Sequence, residues 1–171
     1  LEPKVFVNAT KYDQENLDGA PVDTFEDNNL IIKGNNLIAL NSLKKRYTGC
    51  VKLIYLDVPY FFKKTISEDA FKYNSNFHLS AWLTFLKNRL EIAKVLLSEK
   101  GSIWLNISED GMHYLKVLAD SVFTSDKFVG TIPRKTRNGK SDVPYNLSQD
   151  FDWLLVYTNG FEGDEIVGRQ I

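Results

Sequence analysis

The stretch Val51-Lys52-Leu53-Ile54-Tyr55-Leu56-Asp57-Val58-Pro59-Tyr60 decides how this chain folds. From Val51 to Leu56 every residue but Lys52 is apolar, aromatic or β-branched, which is what burial on both faces of a parallel sheet demands. The strand runs directly into Asp57, so an acid and the aromatic Tyr60 are presented together at its carboxyl end. In open α/β sheets, ligands sit at that end of the strands. On these residues alone two readings of Asp57 stay open. It is an acid presented to a ligand, or a strand-ending Asp that caps a loop whose Pro59 and Tyr60 merely pack.

Upstream, Leu30-Ile31-Ile32 is a short apolar run expected to be a strand, followed by Gly34-Asn35-Asn36 and a helix carrying Leu37, Leu40 and Leu43. An Asn is a good cap for that helix. Downstream, Trp82, Phe85, Leu86, Arg89, Leu90, Ala93, Leu96 and Leu97 recur with a 3.6 period over residues 80–97, which predicts a helix ended at Gly101. Residues 102–107 read as the next strand and residues 111–123 as the next helix, with Ser108-Glu109-Asp110-Gly111 capping it. Residues 128–132 and 153–157 are two further β candidates, and Trp104, Trp153, Phe85 and Tyr157 are expected in the core. The order β-α-β-α-β-α-β-β is that of a doubly wound α/β domain. Residues 1–29 are polar and patternless and read as an irregular arm; beginning at Leu1 without Met, the chain is expected to be a trimmed piece.

With 171 residues, 43% of them apolar, the chain suffices for one domain or part of a larger one, and is neither disordered nor fibrous. Lys and Arg number 21 against 22 acids, for a net charge of -1, so an acidic partner must be held by a local basic patch. The run Arg134-Lys135-Thr136-Arg137-Asn138-Gly139-Lys140 supplies four cations and no acid, read as a loop that contacts a phosphate backbone, and Lys63 and Lys64 are candidates for the same strand. A single cysteine, Cys50, forms no intramolecular disulfide, and no apolar run approaches the roughly 20 residues of a membrane span, so a cytoplasmic protein is expected. His78 and His113 have no second ligand at metal spacing, and no metal is expected.

An exocyclic amine attacks a methyl donor poorly because its lone pair is delocalised into the ring. A carboxylate and a backbone carbonyl that accept its two N–H bonds draw the nitrogen toward tetrahedral geometry and offset the charge that builds up, without a strong base. Asp57 and the Val58 carbonyl can supply those acceptors, Pro59 shapes the turn, and the Tyr60 face can hold a base taken out of its stack.

Asp57-Val58-Pro59-Tyr60 resembles the D-P-P-Y motif of amino-methyltransferases. Its surroundings, namely Ile32-Lys33-Gly34-Asn35-Asn36-Leu37, Phe71-Lys72-Tyr73-Asn74, the run from Trp82 to Leu90 and Phe128-Val129-Gly130-Thr131-Ile132, resemble the modification subunit of type III restriction-modification systems. That is a β-class DNA adenine-N6 methyltransferase. The resemblance covers about residues 28–159 and implies a Rossmann-like methyltransferase fold in part. The part implied is the catalytic half of a permuted, mixed, mostly parallel sheet with a C-terminal β-hairpin. It divides the chain into an arm at 1–29, a catalytic region at 30–159 and, at 160–171, the start of a C-terminal or target-recognition segment.

The same resemblance implies S-adenosylmethionine as methyl donor, with Gly34, Asn35 and Asn36 at the cofactor's adenine, where the residue type equally suits a helix cap. It further implies double-stranded DNA as substrate, a homodimer and a helicase-nuclease restriction subunit as partner. Two departures stand out. Val58 replaces the usual proline, keeping the carbonyl but losing the fixed φ. The family's F-x-G-x-G loop is not made by Gly160, Gly163 and Gly168, so the chain alone is expected to transfer methyl groups poorly or not at all. A protein-glutamine or RNA methyltransferase would place glycines before the motif, where only Gly19, Gly34 and Gly49 stand. The alternative from another class is a truncated, non-catalytic relative that binds DNA or a partner subunit.

Overall fold

The computed structural model describes residues 29–61, 79–136 and 150–160, together with two short paired strands, β1 (Thr10–Lys11) and β2 (Ala20–Pro21). Its body is a sheet of β3 (Val51–Asp57), β4 (Leu97–Ser108), β5 (Phe128–Lys135) and β6 (Phe151–Thr158), interleaved with α1 (Asn36–Tyr47), α2 (Leu79–Leu96) and α3 (Glu109–Phe123). The strands lie in the order β3-β4-β6-β5. β3 and β4 are parallel, while β6 is antiparallel to both β4 and β5. Three strands therefore point one way and β6 alone opposes them. β5 and β6 are consecutive among the described elements and pair antiparallel. A mixed α/β sheet is as the resemblance implied, but it is not mostly parallel in its pairing, since only β3 and β4 pair parallel.

Alternation along the strands sorts the residues onto two faces. Ile54 and Leu56 of β3, Ile103, Leu105 and Ile107 of β4, and Leu155 and Tyr157 of β6 share one core with Trp82, Leu86, Leu90 and Ala93 of α2 and Leu115, Ala119, Val122 and Phe123 of α3. The spacing of the α2 set is why that helix was legible. The Tyr157 hydroxyl donates to Asp120 Oδ1 at 2.8 Å, and the Lys116 ammonium, 2.7 Å from the same carboxylate oxygen, lies 4.1 Å from the Phe128 ring centroid. α3 is thereby tied to the hairpin.

Four further expectations are corrected. The residues Leu30-Ile31-Ile32 are not a strand, and Ile31 is 98% exposed: among the described residues no strand pairs with them, and three apolar residues without a partner gain nothing from extension. Gly101 does not end α2 but lies within β4, where a Cβ would meet the Val51 carbonyl at 2.8 Å. The register slips there, Leu97 facing Val51 and Ser102 facing Leu53, so the glycine serves a bulge and not a helix cap. Among the described residues the double winding is absent, since the face of Leu53 (58% exposed) and Tyr55 (52%) carries no helix. Finally, the basic run begins inside β5, which reaches Lys135 and includes Pro133; β5 is an edge strand, where proline is tolerated.

Candidate active site

Asp57 closes β3, and its partner across the parallel ladder is Asn106 of β4. Because parallel neighbours end on the same side, their side chains meet. Asn106, 1% exposed, donates through Nδ2 to Asp57 Oδ1 and to the Tyr60 hydroxyl, each at 2.7 Å. The Tyr60 hydroxyl in turn donates to Asp152 Oδ2 at 2.7 Å, and that oxygen also accepts from Arg134 Nη2 at 2.7 Å. β6 runs antiparallel, so Asp152, its second residue, lies opposite Ser108 at the carboxyl end of β4, and Arg134 faces Asp152 in the hairpin register. Five side chains from three strands, a loop and the sheet edge thus form one chain of hydrogen bonds.

The polarity of that chain is forced. Both carboxylates only accept, and the Tyr60 proton is committed to Asp152, so the amide must present its two N–H groups to Asp57 and Tyr60. Asn106 Oδ1 is consequently buried with no partner among the described residues, as is Ser108 Oγ. An orphan of this kind costs about 1–3 kcal/mol. Burial, the bond to Asp152 and the charges of Asp152 and Asp57 together push the Tyr60 phenol up to about 12, with Arg134 pulling the other way. Tyr60 is therefore a neutral donor, and its contribution to stability is complete below pH 10.0 and lost as pH rises through about 12.

The loop after β3 is fixed from behind. Trp82 Nε1 on α2 donates to the Pro59 carbonyl at 2.8 Å, and the Val58 side chain is buried in the core at 5% exposure. Val58 N–H reaches the Asn106 carbonyl at 3.4 Å, a bond proline could not make, which replaces part of the restraint lost with the proline ring. Among the described residues, Asp57 Oδ2 and the Val58 carbonyl carry no hydrogen bond, whereas their neighbours Asp57 Oδ1 and the Pro59 carbonyl are both taken. The arrangement leaves two acceptors, one charged, beside an aromatic ring.

The other expected site residues fall elsewhere. Asn35 caps α1, its Oδ1 accepting from Leu37 N–H at 3.0 Å, and Asn36 Oδ1 accepts from Arg89 Nε of α2 at 2.8 Å. Gly34 has a φ of +155° and open space where a Cβ would stand. Arg134 belongs to the Tyr60 chain, half-exposed, while Lys135 is exposed at the end of β5. Lys63, Lys64, Arg137 and Lys140 lie outside the described residues, as do Phe71-Lys72-Tyr73-Asn74. Ser108 stands at the cap position of α3 without a side-chain capping bond, and Glu109 accepts instead from Trp153 Nε1. Among the described residues no cluster of His, Cys, Asp or Glu could hold a metal ion, and no helix is long and apolar enough to cross a membrane.

Asn106 and Asp152 were missed in the sequence. Asn106 had a signal: it is a polar residue of low β-propensity inside Ile103-Trp104-Leu105-Asn106-Ile107, two strand positions from a helix start. Asp152 had none, because its place depends on β6 running against its neighbours.

The sheet thus ends in an acid, a buried amide and a proline-aromatic turn. The chain belongs to the N6/N4 methyltransferase family, described as DNA methylase, whose sequence profile matches residues 51–165. It is 50% identical over 148 residues to the probable type III restriction-modification enzyme HindVI Mod subunit of Haemophilus influenzae, covering 85% of this chain and 19% of that protein. It is 30% identical to the type III restriction-modification enzyme EcoP15I Mod subunit of Escherichia coli, over 78% of this chain and 24% of the relative. A similarity of 30% also joins it to the type II methyltransferase M.EcaI of Enterobacter cloacae, over 88% of this chain and 34% of the relative. The chain thus spans between 19% and 34% of the length of these relatives.

Proposed function

We propose that this chain is the catalytic region of a DNA adenine-N6 methyltransferase, the modification subunit of a type III restriction-modification system. One observation carries the reading: among the described residues, Asp57 Oδ2 and the Val58 carbonyl at the sheet mouth carry no hydrogen bond, while the adjacent oxygens are tied down. An exocyclic amine has two N–H groups to give, and these are two acceptors. Asp57 takes one N–H and offsets the positive charge that develops on nitrogen; the Val58 carbonyl takes the other; the Tyr60 ring stacks on the adenine. No covalent intermediate is needed, and Cys50, exposed ahead of β3, takes no part.

The residues at the start of α1 fit one edge of an adenine-bearing cofactor. With Oδ1 of Asn35 spent on the Leu37 N–H, its Nδ2 remains a donor, and Gly34 puts no side chain in the way. S-adenosylmethionine, when bound, supplies the electrophilic methyl group. In this reading the four strands are half of a Rossmann-like, permuted sheet in a cytoplasmic protein. The whole protein forms a homodimer, acts on double-stranded DNA and works with a helicase-nuclease subunit.

Lys135, Arg137 and Lys140, with Arg134 and with Lys63 and Lys64 after the motif, contact the DNA backbone. Replacing Lys135, Arg137 and Lys140 by glutamine is expected to weaken binding to all sequences alike. The plot of log K against log salt should flatten by about 0.9 for each phosphate that no longer meets a cation. An unchanged slope would make the run an ordinary surface.

Calorimetric titration of S-adenosylmethionine into residues 1–171, and into the full-length protein, tests the function. Binding by the full-length protein, weak or absent in the shorter chain, is expected. No binding by either would leave the non-catalytic alternative, a protein that holds DNA or a partner and transfers nothing.

A further inference from the structure

We infer that Asn106 and Asp152 are positioning residues for methyl transfer: the Asn106 amide locks Asp57 to Tyr60, and Asp152, held by Arg134, locks the Tyr60 ring to the hairpin. The inference rests on the reading of Asp57–Tyr60 as the methyl-transfer site. A carboxylate at a strand end and a tyrosine three residues on have several torsions between them, and nothing local fixes the angle between an acceptor oxygen and a ring face. Asn106 removes that freedom, because its two N–H groups are spent on Asp57 Oδ1 and the Tyr60 hydroxyl, each at 2.7 Å. With Oδ1 so engaged and Oδ2 carrying no hydrogen bond among the described residues, the carboxylate is oriented before a substrate arrives. Asp152 fixes the far side of the hydroxyl at 2.7 Å, and its own place is set by the cross-strand ion pair with Arg134 at 2.7 Å.

The choice of residue argues for function over stability. An asparagine in the interior of β4, 1% exposed, carries an oxygen with no partner among the described residues, an arrangement that costs stability. A leucine or valine there would leave no orphan. What the amide contributes in exchange is directed wholly at Asp57 and Tyr60. Arg134 gains a second meaning as well, since it meets the Tyr60 hydroxyl both directly and through Asp152, beside the phosphate contact proposed for it.

A double-mutant cycle in the full-length protein tests this, with Tyr60→Phe, Asp152→Ala, Asn106→Ala and the pairs that include Tyr60→Phe. Each single variant is expected to lower kcat by about 10²-fold, the cost of a small misplacement, with KM for DNA little changed. Asp152→Ala should add almost nothing once the Tyr60 hydroxyl is gone, because it acts through that hydroxyl. Asn106→Ala should still add a loss in the Tyr60→Phe background, because it also holds Asp57. A readout independent of activity is the alkaline titration of Tyr60, taken as the difference between parent and Tyr60→Phe spectra. It should lie near 12 in the parent and fall in Asp152→Ala. If Asn106→Ala folds poorly, the Asp152 and Tyr60 arms still decide. Full additivity of Asp152→Ala with Tyr60→Phe, or an unmoved Tyr60 titration, would overturn the inference while leaving the site intact. If Asp57→Ala itself kept full activity, the underlying site reading would fail instead.

Discussion

Asp57→Ala in the full-length protein is expected to lower methyl transfer by about 10²–10³-fold and to leave DNA affinity nearly unchanged. The amine nitrogen moves from neutral toward positive as it attacks, so the interaction with a carboxylate strengthens along the reaction and appears chiefly in kcat. Asp57 is exposed at the end of β3, and its loss removes no core contact. Asn106 keeps one of its two acceptors, the Tyr60 hydroxyl, so the scaffold around the vacancy stays bonded. Asp57→Asn separates charge from hydrogen bonding: it retains an acceptor oxygen without the charge, and an intermediate rate is expected. Initial rates with a labelled methyl donor, beside an equilibrium DNA titration, measure both quantities. Equal rates for parent and Asp57→Ala would remove this residue from the mechanism.

The second large effect belongs to Tyr60. Tyr60→Ala deletes the ring on which the displaced base stacks in the proposed reading, an interaction of about 1–3 kcal/mol, or roughly 5- to 150-fold. It also deletes the hydroxyl that joins Asn106 to Asp152. Tyr60→Phe keeps the ring and loses only the joint, so the alanine variant is expected to be the more damaged, with the difference falling on substrate binding. Pre-steady-state rates with duplex DNA, and with DNA carrying a mismatch at the target adenine, resolve the two parts. A mismatch lowers the cost of taking the base out and should partly restore the alanine variant. If alanine and phenylalanine variants were equally impaired, the ring would have no stacking role and the hydroxyl alone would matter.

Much of this frame is legible along the chain. The apolar run into Asp57 is β3 as read, and the 3.6-residue recurrence of Trp82, Leu86, Leu90 and Ala93 is α2 within a residue at either end. The apolar pattern of each fits in a short window, although β3 is an edge strand of the described sheet whose Leu53 and Tyr55 are exposed, and not a strand buried on both faces. Leu30-Ile31-Ile32 failed because a strand is stabilised by its partner, and a run of three residues says nothing about whether one exists. Gly101 failed for a related reason: the close approach it permits is to Val51, fifty residues earlier, and only the sheet shows it.

The site divides in the same way. Asp57, Val58, Pro59 and Tyr60 are adjacent in sequence, so their chemistry could be argued from four letters. Asn106 and Asp152 lie 49 residues from Asp57 and 92 from Tyr60, and reach them only because β4 ends beside β3 and β6 runs backward between β4 and β5. Arg134 illustrates the cost of reading charge without register. As part of a basic run it reads as a phosphate ligand; facing Asp152 in the hairpin, it is first an ion pair.

Everything proposed for this protein turns on these acceptors activating the N6 amine of adenine. The nucleoside composition of DNA methylated by the full-length protein and by its Asp57→Ala variant decides the matter. N6-methyladenine from the parent, at a level at least about a hundredfold above the variant, is the expected result. N4-methylcytosine as the product, or equal N6-methyladenine from both proteins, would contradict it.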